Sequence, residues 1–208
     1  MTGQQEIRFP LPDDINLEEV VAAIGDGQNL LEEPTGIVTR TFLDSFDWRL
    51  HADGIRLWTE RSDGDNALRQ NGVPGISATW RGAISGSTPR FSCDLPAGPV
   101  RDAASGLLDV RALLPQVEIK NRVRSLRLLD SVEKTVLRIL VEQNSSRAPG
   151  KGKYWFCGYS IRLLPVRGYP KPFARVQKLL QQRFDLVVAS VSVMDESLQS
   201  IGRRAGDY

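Results

Sequence analysis

The chain has 208 residues, of which 25% are charged and 41% are hydrophobic, and these are ordinary values for a globular protein with one substantial core. Its formal net charge is only +2, so a general nucleic-acid binder is not indicated, and any anion site must come from local clustering of basic residues. Two cysteines and a single histidine, His51, argue against a disulfide framework, a histidine-rich zinc site and a Ser-His-Asp nucleophile system.

The first half of the chain predicts a strand, a helix and then a series of strands. Residues 4–11 favour a short first strand that is ended by prolines. Asn16, with Glu19 three residues later, is typical of a helix start, and apolar residues at helical spacing carry this helix to Gly25. Beyond the helix, alternating apolar patterns predict strands over 37–43, 55–60, 76–81 and 90–95.

The second half of the chain again mixes helical and strand patterns. Helical periodicity is present over 99–114, which Pro115 closes, and over 170–184. Strand patterns cover residues 117–129, 135–143 and 154–165, and a polar loop rich in Gly, Pro and Ser covers 144–153. About eight strands with a few interposed helices predict an antiparallel α+β barrel rather than an alternating βαβ sheet.

One predicted strand carries three basic residues at alternate positions, namely Lys120, Arg122 and Arg124. Because side chains alternate between the two faces of a strand, these three cations are expected to share one face. A solvated strand face would explain them without any ligand. If other strands gather their basic residues onto the same concave face, the cluster would instead form a site for a small, highly charged anion.

Residues 41–50 read Thr-Phe-Leu-Asp-Ser-Phe-Asp-Trp-Arg-Leu and are followed by Gly54 and Leu57. This segment resembles the signature of the CYTH domain, the triphosphate tunnel family. In that signature an aromatic residue and an Asp end one strand, and a Leu and a Gly lead into the next. Residues 166–180 resemble the turn and helix that follow the family's last strand.

This resemblance implies an α+β fold with an eight-stranded antiparallel β-barrel, the triphosphate tunnel, and flanking helices. Residues 1–199 would form the tunnel domain, including its C-terminal helices. Residues 200–208 are similar to the linker that joins CYTH domains to a C-terminal CHAD domain, so the resemblance implies that this chain is the N-terminal part of a CYTH–CHAD protein.

The resemblance also implies a site in which basic residues grip a tri- or polyphosphate and glutamates hold Mg²⁺ or Mn²⁺. The first-strand motif Glu-x-Glu-x-Lys reads Gln4-x-Glu6-x-Arg8 in this chain. The Arg-x-Arg of the second strand falls on Trp58 and Glu60. Later carboxylate pairs fall on Ser92 with Asp94 and on Ser160 with Arg162.

The metal-binding half of the site is therefore expected to be eroded, while the basic half is kept. Glu6 is the remaining candidate metal ligand, Asp94 and Glu142 are isolated carboxylates, and no residue is assigned as catalytic. The candidate polyanion-binding residues are Arg8, Arg81, Lys120, Arg122, Arg124, Arg138 and Arg162.

We therefore expect a degenerate CYTH domain that binds inorganic triphosphate or polyphosphate, hydrolyses it weakly or not at all, and works with a CHAD partner. Two alternatives stay open: an active metal-dependent triphosphatase built around Glu6, and a structural module that dimerises without a ligand. No apolar run approaches the roughly 20 residues that span a bilayer. A cytoplasmic protein without a membrane or nucleic-acid partner is expected, and homodimerisation is left open.

Overall fold

A computed structural model of the protein describes residues 6–62, 65–71, 80–84 and 88–207. In these residues nine strands form one sheet: β1 (Ile7–Leu11), β2 (Asn29–Glu32), β3 (Gly36–Asp44), β4 (Arg56–Ser62), β5 (Asp65–Asn71), β6 (Trp80–Ala83), β7 (Leu114–Leu129), β8 (Thr135–Arg147) and β9 (Trp155–Pro165). The described helices are α1 (Leu17–Gly25), α2 (Arg49–Ala52), α3 (Pro99–Leu108), α4 (Pro170–Arg183) and α5 (Val193–Ser200). The predicted α+β class with an antiparallel sheet and flanking helices is confirmed.

The strands follow the order β1-β9-β8-β7-β3-β4-β5-β6, and β2 pairs with β7 beside this path. In the described part of the chain this hydrogen-bonded order ends at β1 and β6, so closure into a barrel stays a prediction. The chain divides into two compact units. Unit 1 contains the described residues within 1–36, 121–144 and 156–190, and unit 2 contains those within 37–120, 145–155 and 191–208.

In unit 1 an apolar core covers one face of β1 and β9. Phe9 and Ile161 are directly opposed on these strands, and both are fully buried in the core. Because side chains alternate along a strand, the residues on either side of this pair lie on the other face of the sheet. The helices that cover the core contribute Val20, Ile24, Val176 and Leu180.

Helix α1 begins as the sequence predicts. The Asn16 Oδ1 atom accepts hydrogen bonds from the backbone N–H groups of Glu18, at 3.0 Å, and Glu19, at 3.4 Å. These contacts satisfy two of the donors that a helix start leaves unpaired. The helix is thereby fixed at the point where its apolar side enters the core of unit 1.

In unit 2 apolar residues cover both faces of β3 and β4. One cluster contains Leu43 and Leu57 together with residues of α2 and α3. A second cluster contains Phe42 and Trp58, which pack against α5. The ring centroids of Phe42 and Trp58 lie 5.4 Å apart, and Trp58 is buried. Trp58 is therefore a core residue of this unit.

Two sequence-based expectations need correction. The strand predicted over 90–95 is wrong, because a single 3₁₀ turn, Ser92–Asp94, stands there. The carboxylate of Asp94 accepts the backbone N–H groups of Arg90 and Phe91, both at 3.0 Å, and so takes donors that a strand ladder would use. The helix predicted over 99–114 ends at Leu108, since Asp109 adopts a left-handed conformation with φ of 51°.

The number and the length of several elements also differ from the prediction. The patterns did not predict the short strand β2, the strand β5 or the helix α2. Strand β8 continues through residues 144–147, which were expected to be part of a loop. Of the strand predicted over 76–81, residues 76–79 lie outside the described residues.

The end of β3 is organised by one buried carboxylate. Asp44 is 1% exposed, and its Oδ1 atom accepts the backbone N–H groups of Ser45, at 2.7 Å, and Leu50, at 3.0 Å. Its Oδ2 atom accepts the backbone N–H of His51 at 2.8 Å. Burial raises the pKa of Asp44, and these three hydrogen bonds oppose that effect. The Asp of the signature segment thus has a structural role, which is to hold the chain reversal into α2.

Replacing Asp44 with Ala should destabilise the protein by about 3 kcal/mol, because three backbone donors would lose their acceptor in a buried turn. Urea denaturation followed by circular dichroism measures this change. Asp14→Ala, at an exposed position, is the matched control and should shift the free energy of unfolding by less than about 0.5 kcal/mol. Equal effects of the two variants would contradict the role of Asp44.

Candidate functional site

Two arginines stand directly opposite each other in unit 1. Arg8 of β1 pairs with Arg162 of β9, and the neighbouring Phe9 and Ile161 point into the apolar core. Directly opposed residues on antiparallel strands share a face, so both guanidinium groups lie on the face away from this core. Like charges in this arrangement repel each other, so the pair requires carboxylates or an anion close by.

Two glutamates lie beside this arginine pair. The Nη2 atom of Arg162 donates to the Oε1 atom of Glu142 at 2.8 Å, and its Nη1 atom lies 3.6 Å from the Oε1 atom of Glu6. The Glu142 side chain is 2% exposed, whereas that of Glu6 is 47% exposed. The contact with Glu142 is therefore a buried ion pair, and the longer contact with Glu6 is a weak one open to solvent.

A row of polar side chains continues the same face across β9, β8 and β7. The Asn144 side-chain amide donates to Ser160 Oγ at 3.1 Å, and the Asn121 amide donates to Asn144 Oδ1 at 2.5 Å. Ser160 is two residues from Arg162, so it shares the face of the arginine pair. Asn121 therefore lies on that face too.

The basic run of β7 lies on the other face. Arg122 is the neighbour of Asn121 along the strand, and Arg124 follows two residues later, so both point away from the face that carries Arg8. Arg124 instead donates to Glu32, with Nε 3.0 Å from Oε1, and to Glu18, with Nη1 2.5 Å from Oε1. Strand alternation thus places this run on a different face of the sheet from Arg8.

The remaining predicted cations of β7 and β8 are placed as follows. Lys120 is exposed, and its Nζ atom lies 5.9 Å from the ring centre of Tyr154. Arg138 is exposed on β8, four residues before Glu142, and alternation puts it on the face of Glu142. A four-residue separation is about 13 Å along a strand, so Arg138 lies at the margin of the site.

In unit 2 a second pair of arginines is directly opposed, Arg69 of β5 and Arg81 of β6. Arg81 forms an exposed ion pair with Asp65. Arg69 lies opposite Trp58, so both arginines share the face of β4 that also carries Glu60. The pattern of unit 1, opposed arginines with carboxylates beside them, is thus repeated in this unit.

Glu60 holds two arginines at once. Its Oε2 atom accepts from Arg40 Nε at 2.9 Å, and its Oε1 atom lies 2.6 Å from Arg69 Nη2. Burial by itself would raise the pKa of Glu60, but the charges and hydrogen bonds of Arg40 and Arg69 outweigh it and hold the pKa below its ordinary value. Arg40 and Arg69 were missed in the sequence, because only the strand register brings them to Glu60.

Each opposed pair contains a buried donor that is not satisfied. The Nε atoms of Arg162 and Arg69 are buried, and neither has a hydrogen-bond partner in the described part of the chain. Buried polar groups in folded proteins nearly always have a partner. Each pair therefore has one hydrogen-bond donor that the described protein groups leave unused.

The carboxylates do not form a metal-binding set. Among the described residues, no group of three or more His, Cys, Asp and Glu side chains is arranged to hold a metal ion. Glu142 and Glu6 both face Arg162, and Asp94 is bound to backbone N–H groups of its own turn. With Arg162 between them, Glu6 and Glu142 thus do not present a site for the Mg²⁺ or Mn²⁺ that the family resemblance implies.

None of the described helices is long and apolar enough to cross a membrane.

Comparison with solved structures shows a shared fold. The chain is similar to a candidate adenylyl cyclase from Hippeastrum described as having a dominant triphosphatase activity. The TM-score is 0.57 and the identity is 11%, over 94% of this chain and 95% of that one. It is similar to a candidate adenylate cyclase from Vibrio parahaemolyticus, with a TM-score of 0.54 and 12% identity over 92% and 95% of the two chains. A candidate adenylate cyclase from Bacillus halodurans gives a TM-score of 0.52 and 14% identity over 90% and 92%.

Comparisons based on sequence give no match. No family model matches this chain, and no curated protein matches it. At identities this low, the structural likeness establishes the fold alone.

Replacing Glu60 with Gln should destabilise the protein by about 2–4 kcal/mol at pH 7, because the buried Arg40 would lose the negative charge of Glu60. The pKa of Glu60 is lowered in the folded state, so its ionic contribution is present above the ordinary glutamate pKa of about 4.3 and is lost as pH falls through the lowered value. Wild type and Glu60→Gln should therefore converge in stability as the pH falls below about 4.3 and through the lowered pKa of Glu60. Urea titrations across this range measure the difference, and a gap that does not narrow would contradict the assignment.

Proposed function

We propose that the protein is a CYTH-like triphosphate tunnel domain that binds a linear polyanion, inorganic triphosphate or polyphosphate, and hydrolyses it weakly or not at all. One observation carries this proposal. Two pairs of directly opposed arginines, Arg8 with Arg162 and Arg69 with Arg81, each contain a buried Nε donor that lacks a described acceptor.

Phosphate oxygens suit both arginine pairs chemically. A guanidinium group stays charged at every physiological pH and donates along two edges, which matches the geometry of a phosphate group. An anion between opposed arginines would also remove their mutual repulsion. In unit 1 such an anion would compete with Glu6 for Arg162. The contact between Arg162 and the half-exposed Glu6 carboxylate, at 3.6 Å, is the weakest in the cluster.

Weak hydrolysis follows from the state of the carboxylates. Glu142 is committed to Arg162, and Glu60 is committed to Arg40 and Arg69. Gln4, which stands at the first carboxylate position of the resembled motif, adds no charge. Attack of water on a phosphoanhydride would lack the carboxylate-bound divalent ion that such sites use to neutralise developing charge.

The alternative is an active triphosphatase that uses Mg²⁺ or Mn²⁺ held by Glu6. The triphosphatase activity described for the Hippeastrum protein supports it, since the two chains share a fold. Release of inorganic phosphate from triphosphate in either metal, abolished in Glu6→Ala, would favour this alternative. No release with either metal over a range of pH would rule it out.

We also propose a cytoplasmic location and a CHAD partner joined through residues 200–208. The described residues of this segment belong to unit 2, where Trp48 Nε1 donates to the backbone oxygen of Asp207 at 3.1 Å. Arg203 donates to the backbone oxygen of Gln116 at 3.0 Å. A linker that begins with these contacts would hold its partner close to unit 2. Homodimerisation remains an open alternative.

Calorimetric titration with triphosphate at low ionic strength should show binding without added metal. Arg8→Gln and Arg69→Gln should each weaken it about tenfold, since each removes a charged hydrogen-bond donor worth about 1.4 kcal/mol. Raising the salt concentration should weaken binding in the wild type, because the interaction is between charges.

Arg122→Gln is the matched control for this titration. It removes the same charge from the face of β7 opposite to Arg8 and should change the affinity by less than about twofold. Absence of binding at low ionic strength would overturn the proposal. If charge reversal at Arg8 also left folding and association unchanged, a structural module would be the remaining interpretation.

A further inference from the structure

One guanidinium group lies between two carboxylates in unit 1. Arg162 of β9 reaches Glu142 of β8 through Nη2, at 2.8 Å, and Glu6 through Nη1, at 3.6 Å. Glu6 directly precedes β1, whose Arg8 is opposed to Arg162. Two carboxylates from separate parts of the chain thus converge on a single cation that belongs to the protein.

The burial of Glu142 makes this cation indispensable. A carboxylate that is 2% exposed needs a compensating charge beside it. The arginine supplies a charge that proton loss does not remove at any physiological pH. It also cannot dissociate, which a bound metal ion can.

We infer that Arg162 is a built-in cation that takes the place of a divalent metal ion between Glu6 and Glu142, and so suppresses a metal site. Two carboxylates with water molecules are a sufficient donor set for Mn²⁺ or Mg²⁺, which accept few protein ligands. The guanidinium group blocks such a set by occupying an oxygen atom of each carboxylate. Removing it therefore exposes the metal site.

This inference has two parts with different foundations. The suppressed metal site rests on the contacts of Arg162 alone. Its consequence, that polyanion binding in unit 1 needs no metal, rests on the proposed function. Measuring metal binding in the absence of any polyanion tests the first part without the second.

The deciding variant is Arg162→Met, which keeps much of the side-chain length and removes the charge. Its melting temperature should fall by roughly 10 °C, because the buried Glu142 carboxylate would lose the positive charge of Arg162. Mn²⁺ should restore part of this loss, by about 3 °C at an ion concentration roughly ten times the dissociation constant. Electron paramagnetic resonance of Mn²⁺ should show bound ion in the variant and none at this site in the wild type.

The chain offers a matched control in Arg124, which also joins two carboxylates, those of Glu18 and Glu32. Both of these glutamates are exposed and can separate in water. Arg124→Met should therefore show no rescue by Mn²⁺. The double variant Arg162→Met with Glu142→Gln should also bind no Mn²⁺, and Arg162→Lys should behave like the wild type.

Two results would overturn the inference. One is Mn²⁺ binding by the wild type that Glu142→Gln abolishes. The other is the absence of Mn²⁺ binding in Arg162→Met. If this variant fails to fold, its failure to refold in the presence of Mn²⁺ counts as the same result. Failure of the wild type to bind triphosphate would instead overturn the proposed function and leave these metal measurements unaffected.

Discussion

The buried ion pair between Glu142 and Arg162 is the interaction on which the candidate site of unit 1 depends. It exists because Phe9 and Ile161 must point into the helix-covered core, and strand alternation then forces Arg8 and Arg162 onto the other face. Two opposed arginines are stable there only with negative charge beside them. Glu142 supplies that charge from inside the protein, so the same residue stabilises the sheet and determines what else the face can bind.

The residues on which the family resemblance rests have structural roles in this chain. Asp44 satisfies three backbone donors at a chain reversal, and Trp58 packs against Phe42 in an apolar cluster. Asp94 caps its own turn rather than joining a carboxylate pair. The similarity to solved structures described as candidate cyclases, one with triphosphatase activity, extends over nearly the whole chain and reflects the same fold. Asp44 and Trp58 therefore serve the framework of the fold in this chain.

The success of sequence-based prediction here followed the strength of the local signal. Helix α1 was predictable because Asn16 caps it and its apolar spacing is regular, and the long strands β7 and β9 were predictable from alternation. Strand β5 was missed because Asp65–Asn71 is largely polar and gains its burial only from its neighbours. The helix expected to reach residue 114 stops earlier, since the backbone at Asp109 turns out of the helical region.

The sequence by itself determined the α+β class, most long elements and the fact that alternate basic residues on one strand share a face. Only the tertiary structure decided which face that is. It placed Arg122 and Arg124 away from Arg8, and it brought Arg40 and Arg69 to Glu60. The physical reason is that alternation is a local property of one strand. Which carboxylate meets which arginine depends instead on the register between strands that are far apart in the chain.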